Sequence, residues 1–539
     1  MTRIEIMKRT FYYFVIFFVF LSCIWQQSWG QTDVQHYRFE LQVSDDNDTL
    51  MGRAIITAKV PPHVNTLSLN LASVVSGKGM QVTAVLVDSA KARFNHAADV
   101  LAVNLPTTKR ADSLYNISVH YKGIPKDGLI ISKNKWGDRS FFADNWPNRA
   151  QQWIPVVDRP DDKASFEFLV TAPNHYKVVS NGLLQSERSF GNGTTRTHWK
   201  EMIPQPTKVM VIGVARFAVK IFKDSPGGVP VSAWVYPQDS TKGFYDYALA
   251  PGIVKWFSQY IGPYPYKKLA NVQSKTIFGG MENASAIFYA EGTVTGNRKS
   301  ESLLAHEIAH QWFGNTATEK SFAHLWLSEG FATYLTHLYM RSRYGQDSFL
   351  KRLRDDRWEV VRFAPRYKNA VVDTSSNLMN LLNPNSYQKG GWVLYLLHKR
   401  LGDSLFQKTV QTYYTQYAGR NADSKDFETV AEQVSGQNLD SFFQQWIYTP
   451  GIPQINAGWT VQPTGQLELN VQQYSKNTYQ LPLVIGLRYK NKPFEKRTLS
   501  LTKAAESFLL DVAEKPLQVI LDPDTELLFE GQIQEVRNK

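Results

Sequence analysis

The chain has 539 residues, 43% hydrophobic and 20% charged, which is ordinary for a soluble globular protein and leaves room for several domains with substantial cores. Its net charge of +12 comes without a dense Lys/Arg run or a basic helix face, so no nucleic-acid partner is expected. The one cysteine, Cys23, lies near the N-terminus, and a chain cleaved beyond it has no disulfide or thiol chemistry.

Residues 1–30 read as an export signal peptide. Lys8 and Arg9 precede an apolar run from Phe11 to Trp25, too short for an ordinary spanning helix. Small residues Ser28 and Gly30 fit cleavage before Gln31. The expectation is a secreted or periplasmic protein with no stable membrane span after signal removal. The alternative is a lipid anchor, because Phe20-Leu21-Ser22-Cys23 resembles a bacterial lipoprotein signal acylated at Cys23. Asn-x-Ser/Thr sequons stand at Asn47, Asn116, Asn192 and Asn283; a glycan on the last would obstruct a motif described below, which favours a bacterial envelope over a eukaryotic secretory route.

From 31 to 219 the apolar period is two. Tyr37, Phe39, Leu41 and Val43 alternate with polar residues, and Leu67–Leu71, Tyr115–Val119 and Phe166–Val170 repeat the pattern. This is an N-terminal β domain of sandwich type. Inside it, Asp144-Asn145-Trp146-Pro147 and Trp153–Lys163 form an aromatic, charged loop region that either pins a domain edge or lines a cleft.

The segment 220–453 changes period. Asp246–Tyr260 reads as a helix ended by Gly262-Pro263, and Leu269–Ser274 as a strand. From Ser302 the chain is mostly helical, with Asp347–Phe363, Gln388–Leu401, Leu405–Tyr417, Phe427–Val434 and Leu439–Tyr448 as helices. After Pro453 alternation returns in Leu467, Leu469, Val471 and in Leu483, Ile485, Leu487, so 454–539 is a small C-terminal β-sandwich expected to serve packing and stability.

The chemistry concentrates in His306-Glu307-Ile308-Ala309-His310, followed after eighteen residues by Glu329. Helical residues four apart lie about 40° apart around the axis, so both imidazoles project from one face. Glu307 follows His306 by about 100° and borders that face without having to bind there. Two His and one carboxylate with an open fourth position make a catalytic metal site rather than a closed structural one. These donors suit zinc, one ion per chain; donor type alone leaves other divalent metals open. Gly314 and Asn315 supply a stop signal for the first helix.

Two further segments carry chemistry more weakly. Phe278-Gly279-Gly280-Met281-Glu282-Asn283 brings glycines that let backbone approach a ligand and a carboxylate able to pair with a cation. Tyr387, at the start of a helix, carries a phenol suited to donate to a developing oxyanion.

Gly279–Asn283, His306–Asn315, Leu325–Ala332 and Tyr387-Gln388-Lys389-Gly390 together resemble the motif set of the aminopeptidase N family of zinc metallopeptidases. Trp153-Ile154-Pro155 with Asp158-Arg159-Pro160 is similar to that family's N-terminal signature, and the likeness spans about Tyr37 to Pro453. The resemblance implies a multidomain α+β fold: an N-terminal β saddle, a thermolysin-like, mostly α catalytic domain, then further domains. It implies zinc on His306, His310 and Glu329, and Glu307 as general base. It implies that Glu282 holds the free α-amino group of a peptide substrate while Gly279, Gly280, Met281 and Asn283 line the substrate. Tyr387 would stabilise the tetrahedral intermediate.

Three departures from the family pattern matter. Gly280 stands where many members have Ala, which resembles the aminopeptidase B and leukotriene epoxide hydrolase branch and keeps an epoxide hydrolase as a rival. The short C-terminal β module stands where many relatives have a large helical domain, which bears on access for larger peptides. The N-terminal acidic or amide residue that helps bind the amine in some relatives has only Asp144 and Asn145 as nearby candidates. A catalytically silent peptide-binding protein on the same scaffold is the non-enzymatic rival.

Overall fold

The structure is a computed structural model that describes residues 32–61, 64–106, 114–224 and 226–536. The expected export signal, with Cys23, lies outside the described residues. Among the described residues no helix is long and apolar enough to cross a membrane. The chain divides into two compact units. The first comprises Met1–Ile221, Ser232–Phe244 and Tyr266–Val294; the second comprises Phe222–Val231, Tyr245–Pro265 and Thr295–Lys539.

Alternation of apolar and polar residues builds the first unit. Its largest sheet has eight strands, in the order Leu183–Ser189, Thr194–Pro206, Lys163–Pro173, Asp33–Gln42, Leu50–Lys59, Leu114–Ile124, Gly79–Val87 and Ala90–Lys91. Tyr37, Phe39 and Leu41 face the core on one strand and Ala54, Ile56 and Ala58 on its neighbour, in register Tyr37↔Ile56 and Phe39↔Ala54. Phe39 stacks on Phe168, and Phe168 on Trp153, so the aromatic loop region is welded into this core.

A five-stranded sheet of the same unit carries the Gly-Gly motif. Leu269–Ser274 pairs in parallel with Ala286–Ala290, which in turn pairs antiparallel with the two-residue strand Gly280–Met281. The turn between those last two strands is held from outside. Asn181 Nδ2 donates to the carbonyls of Ala284 (2.6 Å) and Val209 (2.8 Å). Lys268 Nζ donates to the carbonyls of Ser285 (2.9 Å) and Ser180 (2.7 Å). Ser285 itself takes a left-handed φ of 60°, and its Oγ accepts from the Gly182 amide at 2.8 Å. Burial pulls the Lys268 amine down to about 7, against the opposing pull of Glu201.

The second unit is helical and then β. Ser240–Tyr247 (α1) leads in from the first unit, followed by Ala250–Tyr260 (α2), Glu301–Ala309 (α3), Trp326–Phe363 (α4), Gly390–Leu401 (α5), Asp403–Tyr417 (α6), Ser424–Ser435 (α7) and Asp440–Phe443 (α8). The single helix expected over Asp246–Tyr260 is two, because Pro251 stands in the first turn of a new helix, where its missing N–H costs nothing. The helix expected from Asp347 is the second half of α4, which breaks at Gly345 with φ 81° and ψ −179°. The sandwich that follows pairs a four-stranded sheet with a three-stranded one, and Leu467, Leu469, Leu483, Ile485 and Leu487 are buried.

Helices α4 and α5 cross at two glycines. A Cβ on Gly330 would stand 2.8 Å from the Gly390 carbonyl carbon and 2.9 Å from its Cα. On the other side, a Cβ on Gly390 would stand 3.1 Å from the Gly330 Cα. Gly330 directly follows Glu329, and Gly390 directly follows the segment that bears Tyr387, so this contact sets the spacing of both.

Two predictions follow from these contacts. Gly330→Ala should destabilise the chain by about 1–3 kcal/mol, since backbone cannot yield as a side-chain end can. Gly252→Ala in α2, where a Cβ meets nothing within 4 Å, should instead be neutral or stabilise by up to about 1 kcal/mol. Urea denaturation of both variants checks this, and wild-type stability in Gly330→Ala would show that the helices have room. The second concerns Lys268. A lysine whose folded pKa lies below its usual 10.5 holds fewer protons folded than unfolded. Its contribution is fully present above pH 10.5 and is lost as pH falls through about 7. The stability difference between wild type and Lys268→Met should therefore grow in the wild type's favour as pH rises from 7 to 10. A flat difference would mean that Lys268 keeps its ordinary pKa when folded.

Candidate active site

His306, Glu307 and His310 come from the end of α3. His310 is its C-cap residue, still in helical conformation with φ −57°, so the i, i+4 relation survives at the helix terminus. Beyond it the chain reverses through Gly314, whose φ of 113° is left-handed. No side chain fits there, since a Cβ would stand 2.2 Å from the Ser328 Oγ and 3.0 Å from the His310 Nδ1. The reversal brings the Phe313 carbonyl to 3.1 Å from His310 Nδ1, and Ser328 Oγ reaches the same nitrogen at 3.1 Å. With Nδ1–H donating to that carbonyl, the Nε2 lone pair of His310 points the other way.

Glu329 is supplied by the first turn of α4. An aromatic cluster fastens that turn to the end of α3: Phe313 packs on Phe331 with ring centroids 4.5 Å apart, and both pack on Tyr413. Each such pair contributes about 0.5–1.5 kcal/mol beyond its buried area. The residues three after His310 and two after Glu329 are therefore in contact, and they aim the two helix ends at one point.

At that point three donor atoms converge. His310 Nε2 lies 3.1 Å from His306 Nε2, and Glu329 Oε2 lies 3.3 Å from each imidazole nitrogen. Burial pulls the His306 pKa down, toward the neutral form that offers a lone pair, although Glu329 draws it the other way. For Glu329, burial acts to raise the pKa, but the two imidazoles beside it outweigh this and hold the carboxylate ionised. Neutral imidazoles around a carboxylate form a donor set for a divalent cation. The spacing fits the same ion. Zinc bonds of about 2.0–2.1 Å in a tetrahedron place neighbouring ligand atoms about 3.3–3.4 Å apart.

Among the described residues, Glu428, Glu432 and Asp440 also cluster. There Lys425 Nζ already stands between two of them, 2.6 Å from Glu428 and 2.7 Å from Asp440.

Tyr387 belongs to the π-turn Asn385–Lys389, which precedes α5. Its ring lies parallel to that of His306, with centroids 6.0 Å apart. Glu307 is buried on α3, next along the chain from His306. His306, Glu307, His310, Glu329 and Tyr387 are thus brought together in the second unit.

Gly279, Gly280, Met281, Glu282 and Asn283 belong to the first unit. Glu282 and Asn283 are buried there. Asp144 and Asn145, the other candidates for contact with an amine, are held by the scaffold. Asn145 is fully buried, donates to the carbonyls of Thr207 and Met210, and accepts from Trp153 Nε1 at 2.8 Å. One oxygen of Asp144 accepts from Arg149 at 2.6 Å, and the other from the Ile277 amide at 2.9 Å and the Thr276 hydroxyl at 3.0 Å. Asp144 therefore anchors the entry to the Gly-Gly motif. Sequence reasoning missed Asn181, Lys268, Ser328 and the Gly330–Gly390 crossing. Of these, only the glycines left a visible signal, as helix-forming segments interrupted by a residue that weakens helices.

Comparisons with known proteins bear on the family and the fold. The profile of the peptidase M1 N-terminal domain matches residues 33–209, and that of the peptidase family M1 domain matches residues 245–446. "Probable aminopeptidase 2" of Sulfurisphaera tokodaii is 25% identical over 412 residues, covering 71% of this chain and 52% of that protein. Human glutamyl aminopeptidase is 26% identical over 378 residues, covering 65% of this chain and 39% of that protein. The chain thus spans about half or less of the length of these relatives. The crystal structure of Legionella pneumophila aminopeptidase A in complex with aspartic acid superposes with a TM-score of 0.81 at 17% identity, covering 94% of this chain and 60% of that one; it shows a shared fold. With an N-terminal β-rich domain, a helical catalytic region and both family profiles matched in order, the chain belongs to the aminopeptidase N family, peptidase family M1, of zinc metallopeptidases.

Proposed function

We propose that the chain is a zinc-dependent aminopeptidase that removes N-terminal residues from peptides, working in a secreted or periplasmic setting as the export-signal reading of residues 1–30 implies. The observation that carries this reading is the meeting of His306 Nε2, His310 Nε2 and Glu329 Oε2 at 3.1–3.3 Å. Relatives named as aminopeptidases support the peptide substrate class.

Bound to these three residues, zinc supplies a Lewis acid for the scissile carbonyl and lowers the pKa of water toward about 7. Glu307 takes a proton from the attacking water and returns it to the departing amine, which is why a carboxylate must border the donors without joining them. Tyr387 donates its hydroxyl proton to the oxyanion of the tetrahedral intermediate. Glu282 receives the substrate's α-ammonium group, and the Gly279-Gly280-Met281 backbone, with Asn283, lines the peptide. A metal and a base alone hydrolyse any accessible peptide bond; a carboxylate reserved for an ammonium makes the enzyme count from the amino end.

Glu307→Gln should retain zinc, measured by elemental analysis, while turnover of an aminoacyl amide falls about 10²–10⁴-fold. Near-normal turnover would remove Glu307 from the reaction. The exopeptidase reading is tested by pairing each free peptide with its N-acetylated form. The native enzyme should cleave only the free form, and Glu282→Ala should lose about 2–5 kcal/mol of that preference, the range for an unpaired buried charge. Equal cleavage of both forms by the native enzyme would sink the proposal.

A further inference from the structure

Lys389 has no part in the chemistry above, yet it is a lysine with only 1% of its surface exposed. It ends the π-turn that carries Tyr387, two residues earlier. Its Nζ donates to the Gly451 carbonyl at 2.8 Å. Gly451 has a left-handed φ of 87° and lies in Thr449-Pro450-Gly451, where the helices end and the C-terminal sandwich, whose first strand is Gln454–Val461, begins. The sandwich holds that junction from its own side. The Pro450 carbonyl accepts from the Tyr479 hydroxyl at 3.3 Å and from Asn477 Nδ2 at 3.4 Å. Tyr479 also packs on Trp446, and Gln445 and Gln480 exchange two hydrogen bonds beside them.

The far end of the π-turn is held too. Asn385 Nδ2 reaches the carbonyls of Asn369 (3.1 Å) and Ala370 (3.3 Å), and Ser386 Oγ that of Leu381 (2.7 Å). A π-turn is wider than an α-turn and rare, so it depends on contacts from outside itself. Packing alone does not call for a lysine at its last position. Burial there works against the charged amine, pulling it down to about 7, and a methionine would fill similar space without that cost. What the lysine adds is a long, strong donor to one particular carbonyl.

We propose that Lys389 is a positioning residue: it ties the turn bearing Tyr387 to the Pro450-Gly451 junction, so that the C-terminal sandwich sets the place of the Tyr387 hydroxyl beside His306. The sandwich is then part of the catalytic apparatus by lever rather than by contact. This rests on the reading of Tyr387 as the oxyanion donor. A displacement of about 1 Å at such a group costs up to about 10²-fold in rate.

The test is a double-mutant cycle on the full chain, with kcat, KM, zinc content and melting temperature measured for Lys389→Met, Tyr387→Phe and both together. Tyr387→Phe should lower kcat about 10²–10³-fold. Lys389→Met should lower kcat about 10–10²-fold, with KM and zinc content near wild type. In the Tyr387→Phe background, Lys389→Met should cost no more than about twofold, because the group it acts through is already gone. Tyr479→Phe, made from the sandwich side, should show a smaller loss with the same dependence on Tyr387, and it carries the test alone if Lys389→Met does not fold. An unchanged kcat, a loss of zinc, or a loss fully multiplied in the double variant would overturn the positioning role and leave the aminopeptidase reading standing. An unchanged kcat in Tyr387→Phe itself would instead remove the oxyanion role and this inference with it.

Discussion

The convergence of two imidazole nitrogens and one carboxylate oxygen within 3.1–3.3 Å of one another is the constraint the second unit is built to satisfy. Left alone, such a cluster is unfavourable: two rings crowd each other, and a buried carboxylate loses its water. Packing brings the groups together. Phe313 and Phe331 fasten the end of α3 to the start of α4, and the Gly330–Gly390 crossing brings the turn before α5 in on the remaining side. Removing side chains at the crossing lets Tyr387 stack on His306 at 6.0 Å. The stiffness of the helices is what makes one aromatic contact sufficient to aim two of them.

Much of this was legible in the chain. His306, His310 and Glu329 announce themselves because helical periodicity converts sequence spacing into a shared face, and a buried group of two His and one Glu has few uses besides a metal. Strand alternation likewise shows where Tyr37–Leu41 and Leu467–Val471 bury their apolar sides. Legibility fails where partners are far apart in sequence. Asn181 and Lys268 meet the turn after Asn283 across about a hundred residues and about seventeen residues respectively. A lone Asn and a lone Lys carry no periodic signature, and nothing in the sequence shows that Asp144 accepts from the Ile277 amide. Helix boundaries failed for a different reason: Pro251 restarts a helix and Gly345 breaks one, both local backbone effects inside continuous helical patterning.

The two units use the same device at different places. Each buries a lysine against backbone carbonyls: Lys268 on Ser180, at the end of a strand, and on Ser285, in a turn, and Lys389 on Gly451. An amine on a long stem reaches a carbonyl from outside its own segment, and at Ser285 it adds to the bond already given by the Ala270 amide. Both amines are pulled down to about 7 by burial. A neutral amine still has two N–H groups, one for each carbonyl that Lys268 serves, so losing the charge need not lose the anchor.

Regular and irregular structure divide the work around the donors. The candidate site residues of the second unit stand at helix ends: His310 is a C-cap, Glu329 lies in a first turn and Tyr387 is in a π-turn. Helix interiors direct side chains only along a few rows, whereas termini leave the backbone free to adjust a side chain's direction. That freedom has to be restrained again, or the aim is lost. The restraints are the ones found here: a carbonyl and a hydroxyl on His310, a glycine that lets the chain reverse at 314, and a lysine on the turn of Tyr387. A catalytic group on a helix end is thus only as well placed as the hydrogen bonds that close that end, which is why residues with no chemistry of their own can govern a rate.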